Sequence, residues 1–271
     1  MRTKTLASMA ILIILAYTLV ACSTSPTGRQ QLTLFPSAEL NRMGVAAFDQ
    51  MRDETPVSED PAINRYVNCI TDALLEQVEG RDRDLDWEMV VFEDDAVNAF
   101  ALPGGKMGVY TGLLDVAENQ HQLATVIGHE IGHVLAEHGN ERMSTQFATG
   151  AGLQLAAIIG ADGSPQRSAA LAALGLGAQV GVLLPFSRAH EREADLIGLD
   201  LMAKAGFQPE ESIPLWRNMT AASGNGGPPE FLSTHPAGQT RINLLQDAMP
   251  EAKREYERAR AAGRQPNCQR P

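Results

Sequence analysis

The sequence predicts an α+β domain, mainly helical, with a small β-sheet beside one capped helix. Three observations predict it: helix-spaced apolar residues between positions 37 and 79, strand formers confined to 85–111, and helical patterning over nearly everything that follows. A chain of 271 residues, 44% of them apolar, is long enough to bury the core such a domain needs.

The elements follow in order. Leu40, Met43, Val45, Ala47, Phe48 and Met51 mark a first helix that begins at Ser37 and stops before Pro56. Asp60 and Pro61 supply an N-cap and a first-turn proline for a second helix, whose face of Ile63, Val67, Ile70, Leu74 and Val78 ends at Gly80. Leu85 to Glu93 reads as a strand, Asp94-Asp95 as a turn, and Ala96–Leu102 and Met107–Thr111 as strands flanking Pro103-Gly104-Gly105. Asn119 with Gln122 three residues on is a capping-box signal for a helix that runs to about His138 and stops at Gly139. Further helices are expected at 140–159, 166–183, 187–205, 209–222 and 237–260. No internal repeat and no second core is visible. The Ala- and Gly-rich stretch from Ala148 to Leu184 reads as a helical hairpin over the core, with a membrane-facing surface as the alternative.

The first 21 residues stand apart as a signal peptide. Arg2 and Lys4 precede the apolar run Leu6–Ala21, and Leu19-Val20-Ala21-Cys22 closes it with small residues before a cysteine. That ending resembles the lipobox of bacterial lipoproteins, which implies a lipid on Cys22, a tether over 22–35 and a folded domain over 36–271. By the same resemblance, Ser23 after the cysteine implies the periplasm and the inner face of the outer membrane. With Cys22 assigned to lipid, Cys69 and Cys268 remain in an oxidising compartment, either as a disulfide or as two separate thiols. The net charge is −11, and no cluster of Lys and Arg appears, so nucleic acid is excluded as an electrostatic partner.

The chemistry lies in His129-Glu130-Ile131-Gly132-His133. Histidines four apart are rotated by about 40° on a helix, so both imidazoles can hold one ion, while Glu130 reaches a water beside it. His138, five residues past His133, is rotated by about 140°, which points to a capping or solvent role. A catalytic zinc takes three protein ligands. The third is sought in Ser187-Arg188-Ala189-His190-Glu191-Arg192-Glu193-Ala194-Asp195. Glu191 and Asp195 share a face and Glu193 points elsewhere, so periodicity leaves Glu191 and Glu193 as alternatives.

HExxH followed by ExxAD resembles the HtpX and CAAX-prenyl-endopeptidase type of zinc metallopeptidase, closest to its periplasmic lipoprotein and chaperone-like members. The resemblance implies a zincin-like (gluzincin) metalloprotease domain with one Zn2+ per chain, held by His129, His133 and Glu191, and Asp195 orienting a ligand. It also implies that Asn98, Ala99, Phe100 and Ala101 form an edge strand beside the site, and that Ser233-Thr234-His235-Pro236 with Arg241 forms a late motif. Two imidazoles and a carboxylate suit zinc. Glu130 is then the general base of an endopeptidase, with His235 and Arg241 as donors to the developing oxyanion. The flexible linker Ser223–Pro229 suggests a second role for His235, as a fourth ligand that keeps the enzyme latent. Substrates would be unfolded or misassembled envelope proteins, added as a strand along 98–101. The competing readings are a chaperone-like outer-membrane assembly factor with little proteolysis and, ranked lower, a peptidoglycan-cutting enzyme. No helical-repeat domain and no set of multiple spans is seen in this sequence.

Overall fold

A computed structural model of the chain describes residues 22–160, 186–222, 229–236 and 238–271; for Cys22 and residues 151–160 it describes the backbone alone. The helices are α1 (Ser37–Glu54), α2 (Pro61–Leu75), α3 (Thr111–Val116), α4 (Gln120–Leu135), α5 (His138–Gly160), α6 (Arg188–Ala205), α7 (Ser212–Ala221), α8 (Glu230–Thr234) and α9 (Gln239–Ala261). The strands are β1 (Cys22–Thr24), β2 (Gln30–Leu32), β3 (Glu88–Phe92), β4 (Ala99–Leu102) and β5 (Lys106–Tyr110). The signal peptide, the lipid site on Cys22 and the helix expected at 166–183 lie outside what is described. Among the described residues no helix is long and apolar enough to cross a membrane.

Caps start the helices where the sequence expects them. The Asp60 side chain accepts from the amides of Ala62 and Ile63 at the head of α2, and Asn119 accepts from those of His121 and Gln122 at the head of α4. The box at α4 closes differently from the usual pattern: Gln122 reaches back to the amide of Glu118 rather than to that of the cap residue. Pro209–Glu211 forms a separate 3-10 turn where a continuous helix from 209 was expected, and α7 begins after it.

The chain divides into two compact units, Ala38–His138 with Leu183–Pro271, and Met1–Ser37 with Gly139–Val182. In the first, β3, β5 and β4 form a mixed sheet in that order, with β5 parallel to β3 and antiparallel to β4. Val91, Met107 and Val109 from the sheet join Ile70 and Leu74 of α2, Leu123 and Ile127 of α4, Met202 of α6 and Trp216 of α7 in one buried core. Each fully buried side chain of this kind contributes about 1.5–3 kcal/mol relative to exposure. A disulfide between Cys69 and Cys268 ties the C-terminal tail to α2, and the Cys268 amide donates to Gln120 at the head of α4.

In the other unit, the segment read as a tether carries the antiparallel hairpin β1–β2. It is fastened to the start of α5: Arg29 makes a bidentate pair with Glu141 at 2.6 and 2.7 Å, and Ser144 accepts from the Leu34 amide.

Two departures within the larger unit position the site. The first is the contact of α4 with α6. An added Cβ on Gly132 would lie 2.9 Å from the Ala194 carbonyl, and one on Gly198 would lie 2.7 Å from the His129 nitrogen. Backbone therefore meets backbone where the paired histidines face the Glu191 helix. The second is the end of α4, which comes at Leu135 and not at Gly139. Glu137 adopts φ 50°, a left-handed conformation rare for a side chain other than Gly or Asn. The chain turns there, and the helical rotation used to place His138 in solvent no longer applies; His138 is wholly buried.

Candidate metal centre

α4 and α6 bring His129, His133 and Glu191 together, and the stretch after α8 adds His235. All four are buried, with exposures of 1–4%. His129 Nε2 lies 3.0 Å from His133 Nε2 and 3.3 Å from His235 Nδ1. Glu191 stands 3.5 Å from His129, 3.4 Å from His133 and 3.1 Å from His235. Four ligand atoms at the corners of a tetrahedron with metal bonds of about 2.0–2.1 Å are separated by about 3.3 Å, so this donor set has the size of a zinc site. The protons also point to a cation. Imidazole nitrogens facing one another at these distances cannot all donate, and beside its ion pair with Arg241 the Glu191 Oε2 atom makes no aligned hydrogen bond among the described residues.

Electrostatics around the ligands are steep. Burial alone would raise the Glu191 carboxyl, yet hydrogen bonds with His129, His133 and His235 hold it well below the usual carboxylate range. Burial pushes His133 well down and keeps it neutral. For His129, burial and the Arg241 charge push down, and hydrogen bonds to Asp195 and Glu191 overcome them, lifting it to about 9. Glu130 is raised by burial, against the pull of His235 and His129. A carboxylate held upward in this way is suited to accept a proton and pass it on.

The surrounding groups orient these ligands. Asp195 Oδ1 is 3.1 Å from His129 Nδ1, the nitrogen that faces away from the other donors. Arg241 of α9 grips Asp195 with Nε and Nη2 at 2.6 and 2.7 Å, places Nη1 2.9 Å from Glu191 Oε2, and lies 3.5 Å over the Trp216 ring. The guanidinium thus braces the carboxylates of α6. His235 is stacked on Phe231 and tilted against Phe186, and its Nε2 is 3.6 Å from Glu130 Oε1.

β4 lies at the sheet edge beside α4. Asn98 precedes it, and its carbonyl accepts from Tyr110. Antiparallel alternation then turns the backbone groups of Ala99 and Ala101 away from β5, and Phe100 toward it. The Ala101 amide donates to the Glu130 carboxylate, while Asn98 Oδ1 accepts from the Ala99 amide. α8 is moored to the same edge by a bond from the Phe231 amide to the Val97 carbonyl.

Sequence reasoning passed over Phe186, Trp216 and the part Glu193 plays, and the capping or solvent role it gave His138 does not fit a wholly buried ring. Glu193 Oε2 is 3.1 Å from His138 Nε2. Their one visible signal was negative, since a glutamate assigned to the face away from Glu191 carries no hint of what it meets there.

The comparisons agree with the site. The model of peptidase family M48 matches residues 61–249. The mitochondrial metalloendopeptidase OMA1 of Schizosaccharomyces pombe is 42% identical over 171 residues, 63% of this chain and 49% of that protein. The OMA1 of Saccharomyces cerevisiae is 37% identical over 64% of this chain and 50% of its own length. The beta-barrel assembly-enhancing protease of Escherichia coli is 31% identical over 74% of this chain and 42% of its own length. The chain therefore spans about half the length of these relatives. With the matched segment running from α2 into α9 and enclosing His129, Glu130, His133, Glu191, His235 and Arg241, the chain belongs to peptidase family M48.

Proposed function

We propose that the chain is a zinc-dependent endopeptidase of the bacterial envelope, lipid-anchored through Cys22, that cuts unfolded or misassembled proteins. The observation that carries the catalytic part is the set of donors from His129, His133 and Glu191 at ligand spacing, with Glu130 next to His129 in the chain and all four buried. His129, His133 and Glu191 would hold the ion, which when bound makes a water acidic near neutral pH and polarises a carbonyl. Glu130 accepts the proton of the attacking water and returns it to the leaving amine. Ala99 and Ala101 offer outward backbone groups on which an extended peptide can add as a strand, a mode that reads few side chains and suits unfolded substrates. The Asn98 side chain must leave the Ala99 amide, and the Glu130 carboxylate the Ala101 amide, for that pairing to run its full length.

His235 has two proposed roles, and its geometry supports the latch. Its Nδ1 stands within the donor cluster, 3.3 Å from His129 Nε2 and 3.1 Å from Glu191 Oε1, and the ring is stacked on Phe231. Held there, it would keep water from the cluster; swung away, it can donate to a developing oxyanion. Removing it distinguishes the two. His235→Ala raises basal cleavage if the ring is a latch, and abolishes cleavage without any rise if only the oxyanion role operates.

The decisive assay is digestion of casein by the purified chain, with and without a chelator, beside Glu130→Gln. Loss of at least about 100-fold in rate with zinc still bound supports Glu130 as base; undiminished cleavage rejects the mechanism. The name of the Escherichia coli relative favours weighing the assembly-factor reading. It gains if Glu130→Gln still supports envelope function in cells. For location, Cys22→Ser should release the chain from membranes, and a chain equally membrane-bound after that change would refute the anchor.

A further inference from the structure

We propose that His138 is a positioning residue for the metal, which holds His133 in its ligating tautomer and is itself oriented by Glu193; this rests on the zinc-peptidase reading. His138 Nδ1 lies 2.9 Å from His133 Nδ1, and His138 Nε2 lies 3.1 Å from Glu193 Oε2. His133 turns its Nε2 toward the other donors, so that nitrogen must carry a lone pair and the proton sits on Nδ1. The proton assignments downstream then follow. His133 Nδ1–H donates to His138 Nδ1, which leaves the His138 proton on Nε2, where it donates to the Glu193 carboxylate. Each bond in the chain has one donor and one acceptor.

The fold spends unusual geometry on this arrangement. Glu137 takes its left-handed conformation at the turn that brings His138 back toward His133. His138 is wholly buried, its ring stacked on that of His190 at 4.5 Å. Glu193 is 4% exposed, although it stands two positions from Glu191 on the same helix. α6 therefore supports the two histidine ligands in different ways: Asp195 touches His129 directly, and Glu193 reaches His133 through an intervening imidazole. Ligand-orienting partners of this kind are worth about 10- to 100-fold in metal affinity.

The test uses the full purified chain, with zinc affinity measured against a competing chromophoric chelator and the visible absorption spectrum recorded after cobalt substitution. His138→Phe keeps a ring against His190 and removes both hydrogen bonds. It should weaken zinc binding about 10- to 100-fold and shift the cobalt bands, because His133 is no longer held at its angle. Glu193→Gln keeps an acceptor for His138 and should lose less, with Glu193→Leu close to His138→Phe. Affinity within twofold of wild type and an unchanged cobalt spectrum in His138→Phe overturn the proposal, as does a change confined to the melting temperature. If His138→Phe does not fold, the Glu193 pair decides: a graded loss supports the relay, and two wild-type affinities refute it. A wild-type chain that binds no zinc refutes the parent reading instead, and the relay with it.

Discussion

Substituting one hydrogen by a methyl group at Gly198 should disable the metal centre from a position that touches no ligand side chain. A Cβ there lies 2.7 Å from the His129 nitrogen and 2.8 Å from the Gly128 carbonyl carbon, both backbone atoms of α4. Ordinary contact begins near 3.4 Å, so α6 must retreat by about 0.7 Å or twist by an equivalent amount. Overpacking of this size costs about 1–3 kcal/mol, or about 2–12 °C in Tm for a protein of this length. The larger effect is on the ligands. Glu191 and Asp195 ride on α6, and a metal site tolerates displacements of only about 0.2 Å in its bonds. Gly198→Ala should therefore lose more than about tenfold in zinc affinity, read by chelator competition, with Tm measured alongside by differential scanning fluorimetry. A variant with wild-type affinity and a Tm within 1 °C of wild type would refute the view that backbone contact between α4 and α6 sets the ligand spacing.

Three further perturbations have outcomes that the structure sets. Cys268→Ser opens a loop closed across 199 positions and should cost about 2–5 kcal/mol, seen as a fall on the order of 10 °C in Tm under non-reducing conditions; no fall would mean the tail contributes nothing to stability. Tyr66 is buried with no hydrogen-bond partner for its hydroxyl among the described residues, so Tyr66→Phe should stabilise by about 1 kcal/mol in urea titrations at pH 7. Burial, opposed by Arg270, lifts the Tyr66 phenol from 10.0 to about 12. The folded state favours the neutral form, so this contribution is complete below pH 10 and lost as pH rises through 12, and the advantage of Tyr66→Phe should widen over that window. Arg241→Ala strands the buried Asp195 carboxylate and should cost about 3–5 kcal/mol, while Arg241→Met with Asp195→Leu should recover most of it; equal losses in both would show the pair is not coupled.

What the sequence made legible follows the range over which each signal acts. Caps and helix faces are local, and Asp60, Asn119 and the α2 face stand where periodicity puts them. The pair of histidines is local too, since four residues on one helix fix their relation without any tertiary help. Glu191 needed more: periodicity left it level with Glu193, and the fold separates them by burying both, one against the histidine ligands and the other against His138. β3 and β4 come out four and three residues shorter than read and β5 keeps its length one position earlier; β4 starts late because Asp94 through Asn98 turn and make side-chain bonds before it. His138 was misplaced for a physical reason: Gly139 looked like the helix stop, and nothing in Ala136-Glu137 announces a left-handed residue. Trp216 meets the site through α7, at a distance in sequence that no pattern spans, and Arg241 is reached through its motif with His235, which says nothing of its contacts with α6 and Trp216.

The buried charges explain why so many elements converge on one point. Glu130, Glu191, Glu193 and Asp195 are each at most 4% exposed, and the Arg241 guanidinium contacts two of them, Asp195 and Glu191. With neutral imidazoles the group would carry an excess of negative charge in a region with little water, where unpaired carboxylates cost several kcal/mol apiece. Arg241 offsets Asp195 and Glu191 by direct contact, and His138 supplies a hydrogen bond to Glu193, while the three imidazoles that face Glu191 cannot all donate to one another. His129, His133 and Glu191 are the residues that would hold a dication, whose charge would offset the Glu191 carboxylate. Glu130 is the remaining carboxylate: the Ala101 amide donates to it, while its Oε1 has no hydrogen bond among the described residues. Burial raises its affinity for a proton, and a general base that must take one from water and give it back requires that property.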